Sequence, residues 1–496
     1  MEVKNKLSQI LMYPLMGDSS GDIELEIQMY IEKYRACFFL LSTLNLNNPA
    51  DIKNAISKIN KKYPDNDYIF AIHAGGGTQM PVNKNITHIP SNMTVGLSEN
   101  PQNAYKIAKI MAEELKSLGI NMVISDFLNI NMNNHNMFVG TSSFNDTIGE
   151  NSEYIANFIK AFKDTGVILC GMNFPGIGSL EEFSNIQFNT VHRGFESMFE
   201  DEILSFKKAF QENIPVIEVS DVYYFKESKT VKEPACFSEE IIDLLRNTLE
   251  YKGIVMSSSL YRKEFSGIKP SHSVINAYKA GCNLIIMPGG LRENIEAYNG
   301  LYMEIKKGNI KEKSLQKLDS FNTLSENISA NKKTLYNIKK QNREIVQSIM
   351  KECIKYFKGK DFVHKIKDVK DILVIAPDYK AIYGEEGVNY FHRSVKYFKR
   401  KSELIEYSLS PDNNEIEIIK EKATQYEAVI LYSINAHYDE GRENLGIAVT
   451  RANENTIVIG LDSPYEFRLY EDCPCYIALC SYLEQNVQDF CEEFFK

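Results

Sequence analysis

The residues of this chain that could perform chemistry stand near the ends of its predicted strands. They are His73, Asp126, Cys170, Asp221, Ser258 and Arg262. Carboxyl and imidazole groups suit proton transfer, and a thiol or hydroxyl suits nucleophilic attack once a base activates it. Each has a structural alternative: Asp126 could cap a turn, Cys170 could be a small buried core residue, and Arg262 could be a surface charge. Ser257–Ser259 does not match a nucleophile elbow, because no glycine flanks it.

The segment from Gly171 to Gly178 combines a favourable position with unreactive side chains. It follows an apolar run that predicts a buried strand, and Phe174-Pro175-Gly176 predicts a sharp turn. The loop after such a strand is where a barrel of alternating strands and helices places its working residues. Met172 and Asn173, at the mouth of this strand, cannot perform acid–base chemistry.

Strands and helices alternate along the first part of the chain, which predicts a parallel α/β fold. An amphipathic helix around Ile23–Arg35 precedes the first predicted strand. The predicted strands are Cys37–Leu41, Asp67–Ile72, Asn121–Ser125, Gly166–Cys170, Pro215–Val219, Gly253–Met256 and Asn283–Met287. Roughly eight strand–helix units indicate a (β/α)8 TIM-type barrel over residues 1–310 rather than an open sheet.

The rest of the chain predicts a smaller second domain. Residues 311–357 are highly charged and carry no strand pattern, so we expect a helical linker layer over 311–364; sustained apolar heptads of a coiled coil are absent. A three-layer α/β domain is predicted over residues 365–496. Its elements include strands at Ile372–Ile375, Ala428–Leu431 and Thr456–Ile459 and a last helix at Asn486–Phe495.

Composition narrows the classes of partner. The formal net charge of −10 argues against nucleic acid as a partner. No stretch is long and apolar enough to span a membrane, and the first residues lack the apolar core of a signal peptide. The 9 cysteines are scattered without the spacing of a zinc site. We therefore expect a cytoplasmic protein with reduced thiols, no metal and no cofactor.

Several motifs occur in order along the chain. They are Ile89–Met93 with Asn103–Tyr105, Glu114–Asn121, Asn136–Phe144, Asn173–Gly178, Ala280–Pro288 and, in the second domain, Asp462–Phe467. Together they resemble glycoside hydrolase family 3, and most closely its bacterial β-N-acetylglucosaminidase (β-hexosaminidase) branch. The resemblance implies an N-terminal barrel with a carbohydrate pocket at the strand ends. It also implies a retaining hydrolase with a carboxylate nucleophile and a separate acid/base.

The positions that the resemblance assigns to the catalytic groups hold other residues. Ser258 stands where the nucleophilic aspartate is expected, and a serine hydroxyl carries no charge at neutral pH. Asn185 and Phe183 stand at the positions of the acid/base histidine and its aspartate, and neither can transfer a proton. His192 lies nearby and is either a replacement acid or a surface histidine.

The groups that would hold the sugar are also replaced. Met172-Asn173 occupies the position where the resemblance implies a lysine-histidine pair, and Ser142 occupies that of an arginine. Asn129 is found in place of an aspartate, and Asp221 in place of a histidine. An aspartate early in the chain is replaced by Ile72 or His73. The glycines, prolines and apolar positions that shape the barrel persist. This pattern predicts that the chain folds like the family without running its mechanism.

Three functions remain open. The favoured one is a pseudoenzyme, a non-hydrolytic or repurposed barrel that binds a small ligand such as an amino sugar or cell-wall fragment, or a protein partner. The others are an enzyme of different chemistry in the same pocket and a surviving β-N-acetylhexosaminidase with displaced catalytic residues. We expect the pocket mouth to be lined by Met172, Asn173, Ser142, Asp221 and Ser258. We also expect Asp221 to face a cation, either from His73 or Arg262 or from the ligand.

Overall fold

A computed structural model describes most of the chain. The described residues are 2–42, 45, 48–80, 86–136, 139–180, 189–226, 229–230, 233–261, 265, 267–310, 335–366, 369–383, 391, 401–481, 487 and 490. The chain forms two compact units. The first comprises residues 1–89 and 101–343, and the second comprises residues 90–100 and 344–496. No helix in this described part has the length and apolar content that a bilayer crossing requires.

The first unit is built on an eight-stranded parallel sheet. Its strands are β1 (Leu11–Leu15), β2 (Phe38–Leu41), β3 (Ile69–His73), β4 (Met122–Ser125), β5 (Ile168–Phe174), β6 (Val216–Val219), β7 (Ile254–Ser257) and β8 (Ile285–Ile286). They follow the order β7-β6-β5-β4-β3-β2-β1-β8. A parallel bridge between Met256 and Leu284 joins the two ends of the sheet, and the Ser257 amide donates to the Leu284 carbonyl at 2.9 Å. The predicted TIM-type barrel is confirmed.

Helices cover this sheet between its strands. Those of the first unit include Glu2–Ser8, Ser20–Tyr34, Pro49–Lys62, Gln102–Ser117, Ile148–Thr165, Phe195–Met198, Glu202–Gln211, Glu239–Asp243, Pro270–Ala280 and Leu291–Lys306. Local signals set their ends: Ser19 caps the second helix by accepting from the Asp22 amide, and Gly166 ends the fifth in a left-handed conformation. A small separate sheet is formed by Thr190–Gly194, Tyr223–Lys226 and Lys229–Thr230.

Apolar side chains fill the interior of the barrel. The buried cluster consists of Met12, Phe38, Leu40, Ile69, Ala71, Met122, Ile124, Ile168, Cys170, Val216, Ile254, Met256, Leu284 and Ile286. Residues two apart in a strand face the same side of a sheet. On β3 to β7, the next inward positions toward the carboxyl ends are therefore His73, Asp126, Met172, Glu218 and Ser258. We call these five residues the terminal layer.

Three predicted elements differ from the structure. The first buried strand is Leu11–Leu15 rather than Cys37–Leu41, and it supplies the eighth strand of the barrel by pairing with β2 and β8. The sequence predicts a helix over Glu239–Glu250, but the α-helix ends at Asp243 and continues as the π-helical turn Leu244–Thr248. Lys355–Lys358, in the segment predicted as helical, is an antiparallel strand that follows the helix Leu335–Cys353. Residues 311–334 and most of the predicted helix Asn486–Phe495 lie outside the described residues.

The second unit is a separate six-stranded sheet. Its strands are β9 (Lys355–Lys358), β10 (Asp371–Pro377), β11 (Lys401–Tyr407), β12 (Ala428–Ser433), β13 (Thr456–Gly460) and β14 (Cys475–Ala478), in the order β9-β14-β13-β12-β10-β11. Only β9 pairs antiparallel among these described strands. Alternate residues of β10 belong to two different apolar clusters, so both faces of the sheet are covered. This arrangement confirms the predicted C-terminal α/β domain.

Two loops close the carboxyl edge of this second sheet. Ser463 caps a short helical turn, Pro464–Leu469, and Glu466 on that turn is fully buried. The Ser433 hydroxyl and the Asn435 amide donate to the Glu466 carboxyl, while burial raises the pKa of Glu466 to about 7. The motif Asp462–Phe467 thus joins the loops that follow β12 and β13.

Candidate functional site

A cavity of about 250 Å³ lies at the carboxyl ends of the barrel strands. Its described lining contains ionisable side chains from His73, Asp126 and Asp221, amides from Gln79, Asn173 and Asn189, and apolar side chains from Ile124, Met172, Ile177, Leu180 and Val222. No group of three or more histidine, cysteine or acidic side chains in the described part of the chain is arranged to hold a metal ion. The lining suits a small organic ligand with polar and apolar faces.

The residues singled out from the sequence lie in different places. His73, Met172, Asn173 and Asp221 line the cavity together with Asp126. Cys170 belongs to the apolar interior of the barrel, and His192 is exposed on the small sheet. Asn185, Phe183 and Arg262 lie outside the described residues.

Ser258 and Ser142 are not among the residues that line the cavity. The Ser258 amide donates to the Val219 carbonyl at 3.0 Å, which draws this residue into the wall between β6 and β7. Ser258 is 1% exposed, and its hydroxyl has no hydrogen-bond partner among the described residues. Ser142 is instead buried, and its side chain lowers the pKa of Asp126.

Asp126 is an ionisable residue of the described cavity lining whose pKa is clearly shifted. Its side chain is 8% exposed, and burial raises its pKa to about 6. Hydrogen bonds from the side chains of Gln79 and Ser142 oppose that rise. Both partners are neutral, so the ionised carboxylate has hydrogen bonds without a compensating positive charge. A carboxyl with this pKa can gain or lose a proton near neutral pH.

A glycine-rich turn brings Gln79 to this carboxyl. The Gly75 amide donates to the Gln79 carbonyl at 3.1 Å, and Gly77 adopts a φ of 62° within the turn. A Cβ atom at Gly75 would lie 2.6 Å from Oε1 of Gln79 and 3.5 Å from Oδ1 of Asp126. A side chain at position 75 would therefore separate the amide from the carboxyl.

Asn129 holds the turn on which Asp126 stands. Its backbone amide and its side-chain Nδ2 donate to the Asp126 carbonyl at 3.1 and 2.9 Å. Asn129 is not among the described residues that line the cavity. At the position where the resemblance expects a sugar-binding aspartate, this chain therefore has a turn-stabilising amide.

The wall formed by Ile177 and Leu180 is held from the Asn-rich loop. Nδ2 of Asn136 donates to the carbonyls of Ile177 and Gly178 at 2.6 and 3.1 Å. Nδ2 of Asn133 donates to the Leu180 carbonyl at 3.1 Å. These amides satisfy the carbonyls of an irregular loop that has no strand partner for them.

Glu202 holds the same wall from the opposite side. Its carboxylate accepts from the amide and the hydroxyl of Ser179, both at 3.1 Å, and pairs with Arg193 at 3.3 Å. Burial raises the pKa of Glu202, and the hydrogen bonds from Ser179 and the charge of Arg193 oppose the rise. Nearby, Tyr224 donates to the Gly176 carbonyl at 2.8 Å. The loop after β5 is thus fixed by buried hydrogen bonds.

Sequence reasoning did not identify Gln79, Asn189 or Glu218. Gln79 follows three glycines, a composition that indicates a turn but not its contacts. The sequence does contain an indication of Glu218, because this residue is a single acid within the otherwise apolar strand β6. In the structure Glu218 is 1% exposed and belongs to the terminal layer. A buried acid inside an otherwise apolar strand is typical of a functional or a hydrogen-bonded site.

Replacing Glu202 tests whether this wall depends on its carboxylate. We expect Glu202→Ala to lower the free energy of unfolding by about 1 to 3 kcal/mol, because it leaves the Ser179 amide without its acceptor, whereas Arg193 keeps its ion pair with Asp201. Urea unfolding of this variant can be compared with that of Glu200→Ala, an exposed acid two residues away. Equal stability of the two variants would contradict the assigned role.

Asp126 should reduce the stability of the free protein at neutral pH. Its pKa is raised, so the folded state is favoured while the group is protonated, and stability falls as pH rises from about 4 through about 6. A shift of about 2 units corresponds to about 3 kcal/mol. We therefore expect Asp126→Asn to be more stable than the native protein at pH 7, by up to that amount, and to lose the difference at pH 4. Unfolding curves at both pH values measure this, and a variant that is less stable at pH 7 would contradict it.

Comparison with known proteins agrees with this geometry. Residues 2–319 match the model of the glycosyl hydrolase family 3 N-terminal domain. Beta-hexosaminidase A of Pseudoalteromonas piscicida is 26% identical over 294 residues, which are 55% of this chain and 49% of that protein. The beta-hexosaminidase of Photobacterium profundum is 25% identical over 303 residues, 58% of this chain and 86% of that protein.

Solved structures share the fold. A glycoside hydrolase family 3 beta-N-acetylglucosaminidase from Paenibacillus sp. superimposes with a TM-score of 0.85 at 21% identity, over 99% of this chain and 96% of that one. The family and the branch that the motifs resemble are therefore confirmed. This chain belongs to glycoside hydrolase family 3, and its relatives include the β-hexosaminidases of that family.

Proposed function

We propose that this protein binds a small, sugar-derived ligand at the mouth of its barrel and does not hydrolyse glycosidic bonds. The observation that carries the proposal is the state of Ser258, which stands at the position of the family nucleophile. Its hydroxyl is neutral, 1% exposed and outside the cavity lining. A retaining glycosidase needs an ionised oxygen that reaches the anomeric carbon to form the glycosyl-enzyme bond.

The cavity itself supports a binding role. Its volume of about 250 Å³ is close to the lower end of ligand pockets, about 300 Å³, so it suits a ligand of the size of a monosaccharide. Met172, Ile177 and Leu180 supply an apolar wall. Gln79, Asn173 and Asn189 supply amide groups that can exchange hydrogen bonds with hydroxyls.

An enzyme of different chemistry is the second candidate, and one observation favours it. Asp126 has a pKa of about 6 and faces the same cavity as His73. A carboxyl whose pKa lies near the working pH is suited to general acid–base catalysis. Product analysis by NMR after incubation with a bound ligand distinguishes this candidate from binding alone, since only the enzyme changes the ligand.

The absence of glycosidase activity can be measured directly. We expect the purified protein to leave aryl β-N-acetylglucosaminides uncleaved, because Ser258 cannot form the glycosyl ester. Ser258→Asp alone should also remain inactive, because Asn185 and Phe183 supply no acid/base. Release of the aryl group is the readout, with a β-hexosaminidase as positive control. Hydrolysis that either Asp126→Asn or Asp221→Asn abolishes would contradict the proposal and would identify displaced catalytic carboxylates.

A further inference from the structure

The described cavity lining contains carboxyl groups but no lysine or arginine to balance them. The two carboxyl groups are those of Asp126 and Asp221. Both carboxyl groups are largely buried, with side chains 8% and 5% exposed. They stand on different elements, Asp126 after β4 and Asp221 after β6, so the barrel brings them to one cavity from positions distant in sequence.

The surroundings of Asp126 leave its negative charge uncompensated. Its hydrogen-bonding side chains are Gln79 and Ser142, and both are neutral. Burying a carboxylate is unfavourable unless a cation accompanies it. If the fold needed only a hydrogen-bond acceptor at this position, the side-chain amide of an asparagine would supply one without the cost of burying a charge. The presence of a buried carboxyl is explained if a positive charge arrives with the ligand.

We propose that the ligand carries a protonated amino group, which pairs with Asp126 and Asp221 inside the cavity. The inference rests on the proposed binding function and names the class of ligand: a small amine, and among sugars a free amino sugar rather than its N-acetylated form. The apolar wall of Met172, Ile177 and Leu180 would contact the face of the sugar ring. An acetamido group is neutral and would bring no positive charge to Asp126.

The pairing predicts a pH dependence of binding. The titratable groups of the described cavity lining are His73 on β3, Asp126 after β4 and Asp221 after β6. Asp126, with a pKa of about 6, is mostly protonated at pH 5 and mostly ionised at pH 7. An amine that stays protonated over this interval should therefore bind about tenfold more tightly at pH 7 than at pH 5.

Calorimetric titration of the whole protein with glucosamine and with N-acetylglucosamine tests the inference. We expect glucosamine to bind at pH 7, more weakly at pH 5, and N-acetylglucosamine to bind at least tenfold more weakly than glucosamine at pH 7. Asp126→Asn and Asp221→Asn should each reduce glucosamine affinity at pH 7 by tenfold or more. Asp65→Asn, a change at an exposed aspartate, should leave the affinity unchanged. Since Asp126→Asn is expected to be more stable than the native protein, its loss of binding cannot be attributed to unfolding.

The outcomes separate this inference from the proposed function. Equal affinity for the two sugars would overturn the cation inference but not the binding function. The same conclusion would follow if neither Asp126→Asn nor Asp221→Asn changed the affinity for glucosamine. No heat from glucosamine at either pH would also overturn the cation inference. Cleavage of an aryl N-acetylglucosaminide by the same preparation would refute the non-hydrolytic function, whichever sugar binds.

Discussion

Closure of eight parallel strands around an apolar interior decides where this protein can place polar groups. The bridge between Met256 and Leu284 completes the barrel, and the side chains below the mouth are apolar or a thiol. A polar group in that interior would lose its water without gaining a partner. On β3, β4 and β6, the polar inward-facing residues His73, Asp126 and Glu218 therefore stand at the last inward position, in the terminal layer. The chemistry of the protein is restricted to this layer and to the loops above it.

Those loops owe their geometry to buried hydrogen bonds that do not depend on the ligand. Asn136 binds the carbonyls of the loop after β5 from one side, and Glu202 binds its amide at Ser179 from the other. The same loop positions Ile177 and Leu180 in the cavity wall. Supports of this kind allow the side chains that face the cavity to change while the cavity keeps its shape. The fold is consequently a poor guide to the reaction, and the residues of the site must carry that argument.

The sequence predicted the fold better than the site, for physical reasons. The spacing of apolar residues along the chain follows from which residues are buried, so this spacing predicts most of the barrel strands correctly. The exception is β1, which was not predicted. It contains Pro14, which has no amide hydrogen to donate to a neighbouring strand, so the sequence of β1 is not typical of a central strand. The cavity required tertiary information: nothing in the sequence shows that Gln79 reaches Asp126, or that the Ser258 amide binds Val219 and draws the residue into the wall.

The same limit applies to Asp126, which has the sequence environment of a turn cap. Asn129 stabilises the turn by binding the Asp126 carbonyl, so the carboxyl is free to face the cavity, where neutral groups bind it. The resemblance places lysine, arginine and histidine at positions 172, 142 and 221, and this chain has Met172, Ser142 and Asp221 there. Met172 and Asp221 line the cavity and Ser142 does not, and together with Asp126 the described lining has two carboxyl groups and neither lysine nor arginine. Because charge governs which ligands a small enclosed cavity accepts, this lining is the physical basis of our proposal that a cationic ligand relieves the cost of burying Asp126.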